Sequence, residues 1–341
     1  MAEIHRRRLV TAALLALALA APFVFYPVFL MEALCFALFA GAFNLLLGYA
    51  GLLSFGHAAF FGGAAYVTAY AVKSWGLPPE AGILAGVAAA TALGTVFGWL
   101  AIRRQGIYFA MITLAFAQMV YFAALELPFT GGEDGIQAVP RGRLFGLVGL
   151  GGTLEMYYFV LAMFVLGLAV IIRTINSPFG QVLKAIRDNE PRAVSLGYDA
   201  DRYKLLAFIL SAALSGLAGS VKALVFQLAS LTDVQWETSG AVVLMTLLGG
   251  LGTVAGPVVG AFIVIAMEHY FAAFGSWITV IEGLIFVFCV LAFRRGVVGT
   301  FAAAVGRRNG ARATARPDRR ASEMLTVVAG PSPRSKPGSA S

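Results

Sequence analysis

Residues 44–66 read NLLLGYAGLLSFGHAAFFGGAAY, an apolar stretch that carries Gly48, Gly51, Gly56, Gly62 and Gly63 together with one asparagine and one histidine. Apolar side chains at this density ask for a buried or lipid-facing helix, whereas glycine at this density interrupts one. We read the stretch as the inner end of one membrane helix, a short break over 48–56 and the start of the next. Glycine then serves both the interruption and close helix packing. Backbone groups freed by a break need partners in protein or along a wet path, so Asn44, Ser54 and His57 are candidates for a translocation path.

The rest of the chain has the composition of an integral membrane protein. Of 341 residues 60% are hydrophobic and 12% charged, and the mean hydropathy is +0.83; a soluble domain carries about a quarter charged residues. Apolar runs long enough to cross about 30 Å of hydrocarbon recur along it. The expected fold is all-α, a polytopic transmembrane bundle of about ten spans, with eight the lower bound and broken or re-entrant helices among them. The spans are placed at 9–28, 30–47, 57–74, 81–101, 106–126, 156–174, 204–228, 238–251, 254–271 and 277–294. HRRR followed by LVTAALLALALAAP resembles a signal peptide with a small-residue site near Ala20, but the apolar run continues through Pro22 and Pro27, as in an uncleaved anchor.

Net charge of +8 invites a nucleic-acid reading, which topology makes unnecessary. With the amino terminus in the cytoplasm, all of the 25 Lys and Arg fall inside except Lys73, Arg141, Arg143 and Lys222. Lys222 lies near the outer end of its span and is expected to snorkel to the interface. Ten of the 17 acids fall outside, among them Glu80, Glu126, Glu133, Asp134, Glu155, Asp233, Glu237, Glu268 and Glu282, so the outer face is net acidic. A transmembrane domain over 1–296 contains an external loop at 127–155 and a cytoplasmic insertion at 173–204. The segment 297–341, rich in Arg, Pro, Ser and Gly, reads as a disordered basic tail near anionic lipid.

Within the insertion, Val182, Leu183 and Ile186 and then Ala193, Val194 and Leu196 mark two short amphipathic pieces separated at Pro191 and closed by Gly197. This is a surface suited to another protein. Residues 46–51 (LLGYAG) and 247–252 (LLGGLG) share a pattern, as paired broken helices of transporters do. Gly249, Gly250, Gly252, Gly256, Pro257 and Gly260 combine four-residue small spacing with a break or helix start. Gln118 and Glu282 join Asn44 and His57 as polar residues in apolar surroundings and as further path candidates.

None of the five lysines follows a phosphate-loop pattern, and no metalloprotease, thiol-pair or nucleophile-elbow motif occurs, so the chain is read as one that does not energise itself and has no catalytic residue of its own. Cys35 and Cys289 are too far apart in the predicted topology for a disulfide or a metal site. Two other classes compete: an ion-coupled secondary carrier working through Glu282, Glu268 or His57, and an intramembrane hydrolase using Ser54 with His57.

GLLSFGHAAFFGGAAY, GIYFAMITLAFAQMV, TGGEDGI with Pro140, SPFGQVLKAIRDNE, SLGYDADRYKLLAFILSAALSGLAGS and LLGGLGTVAGPVVGA together resemble, in order, the sequence blocks of the LivM-type permeases over residues of about 30 to 295. These are the larger membrane subunits of ATP-binding-cassette importers of branched-chain amino acids. The resemblance implies a bacterial inner-membrane permease subunit that pairs with a related LivH-type permease, two cytoplasmic ATPase subunits and a periplasmic solute-binding protein. ATP and Mg would sit on those partners, and no cofactor on this chain. It also implies a coupling segment in the insertion, carried by Ala185, Ile186, Asp188, Glu190, Arg192, Ala193 and Gly197. The permease pattern E-A-A-x-x-x-G falls on Pro191, Arg192, Ala193 and Gly197, where the last alanine and the glycine agree.

Overall fold

The computed structural model describes residues 16–144, 146, 148–271 and positions 280, 283, 284 and 287; the span at 277–294, Glu282, Cys289 and the tail lie outside the described residues. Residues 16–20 are helical and a 3-10 turn at Ala21–Phe23 comes after them. Pro27, whose missing N–H costs nothing in a first turn, opens α1 (Pro27–Asn44). A π turn at Leu45–Ala50 prolongs α1, and an irregular stretch leads to α2 (His57–Lys73). Then come α3 (Pro79–Ala101) and α4 (Ile107–Glu126). The loop beyond holds a two-residue hairpin of β1 (Arg143–Leu144) and β2 (Val148–Gly149), in which Arg143 pairs with Gly149. It ends at α5 (Thr153–Asn176). Two short helices, α6 (Pro178–Asp188) and α7 (Glu190–Ser195), lead into α8 (Ala200–Phe226), α9 (Trp236–Gly249) and α10 (Ala255–Phe271).

Helices α1 and α8 form the centre. In the most apolar stretch of α1, extended through its π turn, 89% of residues are buried against protein, and 78% in α8, against 33%, 28% and 33% in α3, α4 and α5. An apolar helix buried on every side belongs inside a bundle, and one that keeps most of its apolar surface open faces lipid or another subunit. Helices α2, α3 and α8 pack on one another, while α5, α9 and α10 pack on α1.

Small residues bring these backbones together. On α3, Gly82, Gly86, Ala90, Gly94 and Gly98 recur at every fourth position and face α2 and α8. A side chain at Gly86 would overlap the hydroxyls of Thr68 and Ser220, which lie 2.8 Å apart. Gly219 on α8 meets the Phe61 carbonyl in the same way. Without a hydrophobic drive between helices in lipid, such close approach supplies the dispersion contacts that hold them.

Helix α9 is short. Its 14 residues rise about 21 Å, less than a hydrocarbon core. The chain reaches α9 by returning into the bundle: Asp233 and Val234 lie against Gly62, which is inside α2. Ala229 in this returning stretch forms a bridge to Ile136 of the long loop, with both N–H···O distances 3.0 Å. Ala229, Asp233 and Val234 of this non-helical stretch are buried against protein, the condition under which a bilayer tolerates irregular backbone. At the other end of α9, the turn at 250–254 reverses the chain into α10, and Pro257 sits in the first turn of that helix. Gly249, Gly256 and Gly260 let α9 and α10 pack backbone against backbone, while Gly252 faces the π turn.

Candidate functional site

The two L-L-G-x-x-G stretches meet. Asn44, at the last turn of α1, donates through Nδ2 to the Thr253 carbonyl at 2.9 Å and accepts the Gly252 N–H on Oδ1 at 3.0 Å. Gly48 lies between them, and a side chain there would overlap both Asn44 Oδ1 and Gly252 N. Asn44 is buried, and its amide splices the π turn to the 250–254 turn. Gly51 then ends the π turn at φ 75°, a left-handed conformation that glycine adopts without a steric penalty.

Helix α6 rests on this junction. Ser177 caps it by accepting the Gly180 N–H at 3.3 Å, and Leu183 and Ile186 bury its apolar face. The guanidinium of Arg187 donates to the Gly48 carbonyl, one of the helix-end carbonyls that lack an intrahelical partner. Its aliphatic stem covers Gly51, where an added Cβ would stand 2.9 Å from Arg187 Cγ. Lys184 Nζ lies 5.5 Å from the centre of the Tyr49 ring.

Asn189 separates α6 from α7 and caps the latter, accepting the Arg192 N–H at 3.1 Å. Pro191 therefore stands in the first turn of α7 instead of marking the division, as a residue with no N–H can. Glu190 binds Lys204 of α8 at 2.5 Å and Gln105 of the α3–α4 turn at 3.2 Å. Of the expected coupling residues, Ile186 and Ala193 are buried together with Ala200, whereas Ala185, Asp188, Arg192 and Gly197 are exposed. A groove of about 480 Å³ lies between these helices, Gly51 and the Gln105–Gly106 turn.

His57 is enclosed. Its ring meets Phe43, Phe60 and Phe208 edge-on at 5.0, 5.6 and 5.9 Å between centroids. Ser211 donates its hydroxyl hydrogen to the Ala42 carbonyl at 2.5 Å, so its oxygen accepts from His57 Nε2 at 2.9 Å. Nδ1, left as the acceptor, takes the Ser54 hydroxyl at 3.1 Å, and Ser54 Oγ also accepts the Gly56 N–H at 3.2 Å. One nitrogen donating and the other accepting is the pattern of a neutral imidazole. Ser54, His57 and Ser211 are each 0% exposed, so in this conformation the Ser54–His57 pair is enclosed by the described residues. The three residues lock the start of α2 to α1 and α8. Gln118 is half-buried on α4, remote in the chain from this group.

Lys222 corrects the snorkelling expectation. Its ammonium turns inward to the Asp233 carboxylate, with side-chain exposures of 15% and 7%. It lies 5.4, 5.8 and 5.6 Å from the ring centres of Phe36, Phe61 and Phe226. The returning stretch before α9 brings an acid to it within the bundle, and ring faces that attract a cation complete the cage. Glu32 and His269 share the electrostatic field of this pair. Neither Glu32 nor the Lys222–Asp233 pairing is foreseen by hydropathy, although Lys222 inside an apolar run is itself a signal that a counter-charge exists. Among the described residues no three His, Cys, Asp or Glu side chains gather as a metal site.

The geometry describes a broken-helix membrane bundle with a helix pair latched to its breaks, and sequence relationships give it a family. Residues 27–292 match the family described as branched-chain amino acid transport system / permease component. The chain is 28% identical over 296 residues to the high-affinity branched-chain amino acid transport system permease protein LivM of Escherichia coli K12, covering 79% of this chain and 68% of that protein. Salmonella typhimurium LivM is likewise 28% identical over 283 residues, covering 75% and 65%. A probable branched-chain amino acid transport permease protein LivH of Methanocaldococcus jannaschii is 28% identical over 157 residues, 43% of this chain and 47% of its own. No solved structure matches. The chain belongs to the permease-component family of branched-chain amino acid transport systems.

Proposed function

We propose that this permease is one of two related membrane subunits of an ATP-binding-cassette importer in the bacterial inner membrane. It moves branched-chain amino acids or chemically similar small solutes inward, together with a LivH-type permease, two cytoplasmic ATPase subunits and a periplasmic solute-binding protein. The orientation is set by the positive charges, with α6 and α7 and both termini in the cytoplasm. ATP and Mg belong to the ATPase subunits, and lipid surrounds the peripheral helices.

The observation that carries this reading is the surface around α7. Val194, Leu196 and Tyr198 are 54%, 70% and 41% exposed, beside the charged Arg192, Asp199, Asp201 and Arg202. An apolar patch with a polar rim, outside the membrane spans, is the chemistry of a protein-docking site. ATP-driven closure of the ATPases would displace α6 and α7, and the free energy comes from differential nucleotide binding to the two states.

Proteoliposomes test it. Uptake is expected only when both ATPase and solute-binding protein are added, and deletion of Asp188–Gly197 should leave the subunit inserted but abolish uptake. Uptake by this chain alone under an ion gradient, or normal uptake after the deletion, would overturn the reading.

A further inference from the structure

We infer that the π turn Leu45–Ala50 is the moving joint of the subunit, and that Arg187 is the positioning residue through which α6 drives it. The inference rests on the importer reading above and deepens it by naming how motion at the docking surface reaches the membrane interior.

A π turn closes its hydrogen bonds one residue later than an α-helix, here from Gly51 N–H back to the Leu46 carbonyl. It can therefore exchange with an α turn by moving one residue across its boundary, which rotates the adjoining segment of chain by about 100°. A change of this kind gives two discrete arrangements, the kind of element that converts a small push into a switch. Gly48 and Gly51 add no side chain of their own to the turn and Gly252 faces Gly48 from the opposite break, whereas the buried Leu45, Leu46 and Tyr49 must repack together when the turn shifts, which keeps the two arrangements discrete.

Besides its apolar packing against neighbouring helices, the turn is held by specific polar contacts. Arg187 is hydrogen-bonded to the Gly48 carbonyl, so a displacement of α6 acts directly on the turn's backbone. Asn44 binds the opposite break through both ends of its amide, so that break moves with it. The groove of about 480 Å³ beside Arg187 gives α6 and α7 room to shift relative to the Gln105–Gly106 turn. Arg187 also binds Asp188 at 2.9 Å, at the start of the segment the ATPase would engage. Docking surface, guanidinium, π turn and second break thus form one mechanical series.

The test uses the complete complex in proteoliposomes and measures solute taken up per ATP hydrolysed, with the amount of assembled complex as the control. For Arg187→Ala, we expect assembly and ATP hydrolysis to persist while uptake per ATP falls by about tenfold, in the range of ordinary allosteric coupling. Arg187→Lys, which can still donate to the Gly48 carbonyl, should restore most of the ratio. If Arg187→Ala does not assemble, Arg187→Gln, which keeps an N–H donor without the charge, replaces it and should give an intermediate ratio. An unchanged ratio in the assembled variants, with a normal wild-type complex, would overturn this inference and leave the importer reading standing. Absence of ATP-dependent uptake by the wild-type complex would overturn both.

Discussion

His57 Nε2 and Ser211 Oγ lie 2.9 Å apart and join the first turn of α2 to α8 across 154 positions of sequence. Because Ser211 spends its own hydrogen on the Ala42 carbonyl, the contact fixes three helices with one hydroxyl. Ser211→Ala leaves the Nε2–H and that carbonyl without this partner in an apolar cage. A buried group so stranded costs about 1–3 kcal/mol. Equilibrium unfolding in mixed detergent micelles should show a loss of that size, and an unchanged midpoint would refute the assignment.

The Lys222–Asp233 pair predicts an asymmetric result. Lys222→Met strands a buried carboxylate with Glu32 nearby, and breaking a buried pair in this way costs about 3–5 kcal/mol. Adding Asp233→Asn removes the stranded charge and should recover most of the loss. A double-mutant cycle on unfolding midpoints reads the coupling directly. Additive effects of the two changes would contradict it.

Two glycines on facing parts of the bundle should respond oppositely to alanine. At Gly219 a methyl group would overlap the Phe61 carbonyl, so α2 and α8 must separate, at about 1–3 kcal/mol or more. At Gly63 the nearest atoms would be Leu93 Cδ1 at 3.7 Å and Val120 Cγ1 at 3.9 Å, ordinary contacts. Gly63→Ala should therefore stabilise by about 0.5–1 kcal/mol through helix propensity alone. Thermal stability in detergent ranks the two variants.

Val194 and Leu196 separate folding from assembly. Both side chains are exposed, so Val194→Asp and Leu196→Asp should change stability by no more than about 0.5 kcal/mol. If they form the centre of the docking patch, each should weaken binding of the purified ATPase by about tenfold, the loss of a modest hot spot. Immobilised permease titrated with ATPase measures this, and unaltered binding would place the contact elsewhere.

Hydropathy and punctuation locate most helices closely. The expected spans 57–74, 81–101 and 106–126 correspond to His57–Lys73, Pro79–Ala101 and Ile107–Glu126, because proline and glycine mark their ends. The breaks near Gly51 and Gly252 are equally legible, since clustered glycine inside an apolar run has few other meanings. Partnerships are less accessible. Lys222 looks like a snorkelling residue until Asp233, eleven positions later, folds back beside Gly62. Arg187 is one cation among several in a polar insertion, and only the orientation of α6 singles it out. The small-residue ladder of α3 repeats the spacing of Gly252, Gly256 and Gly260, but its partners, Thr68 and Ser220, come from two other helices. Pairwise geometry of this kind depends on how helices rotate about their axes, which residue type does not encode locally.

The Asn44 splice also bears on how the protein is made. Its two partners, Gly252 and Thr253, lie 208 and 209 residues further along the chain. At translation speeds of about 5–20 residues per second, Asn44 waits roughly 10–40 s for them to emerge from the ribosome. Throughout that interval α1 is an apolar segment with a carboxamide lacking its final partners, and this polar group needs temporary shelter from lipid. The central helix of the finished bundle is thus among the last to be completed during biosynthesis. Emergence of the 250–254 turn, more than insertion of the first segment, sets the moment at which this helix can be completed.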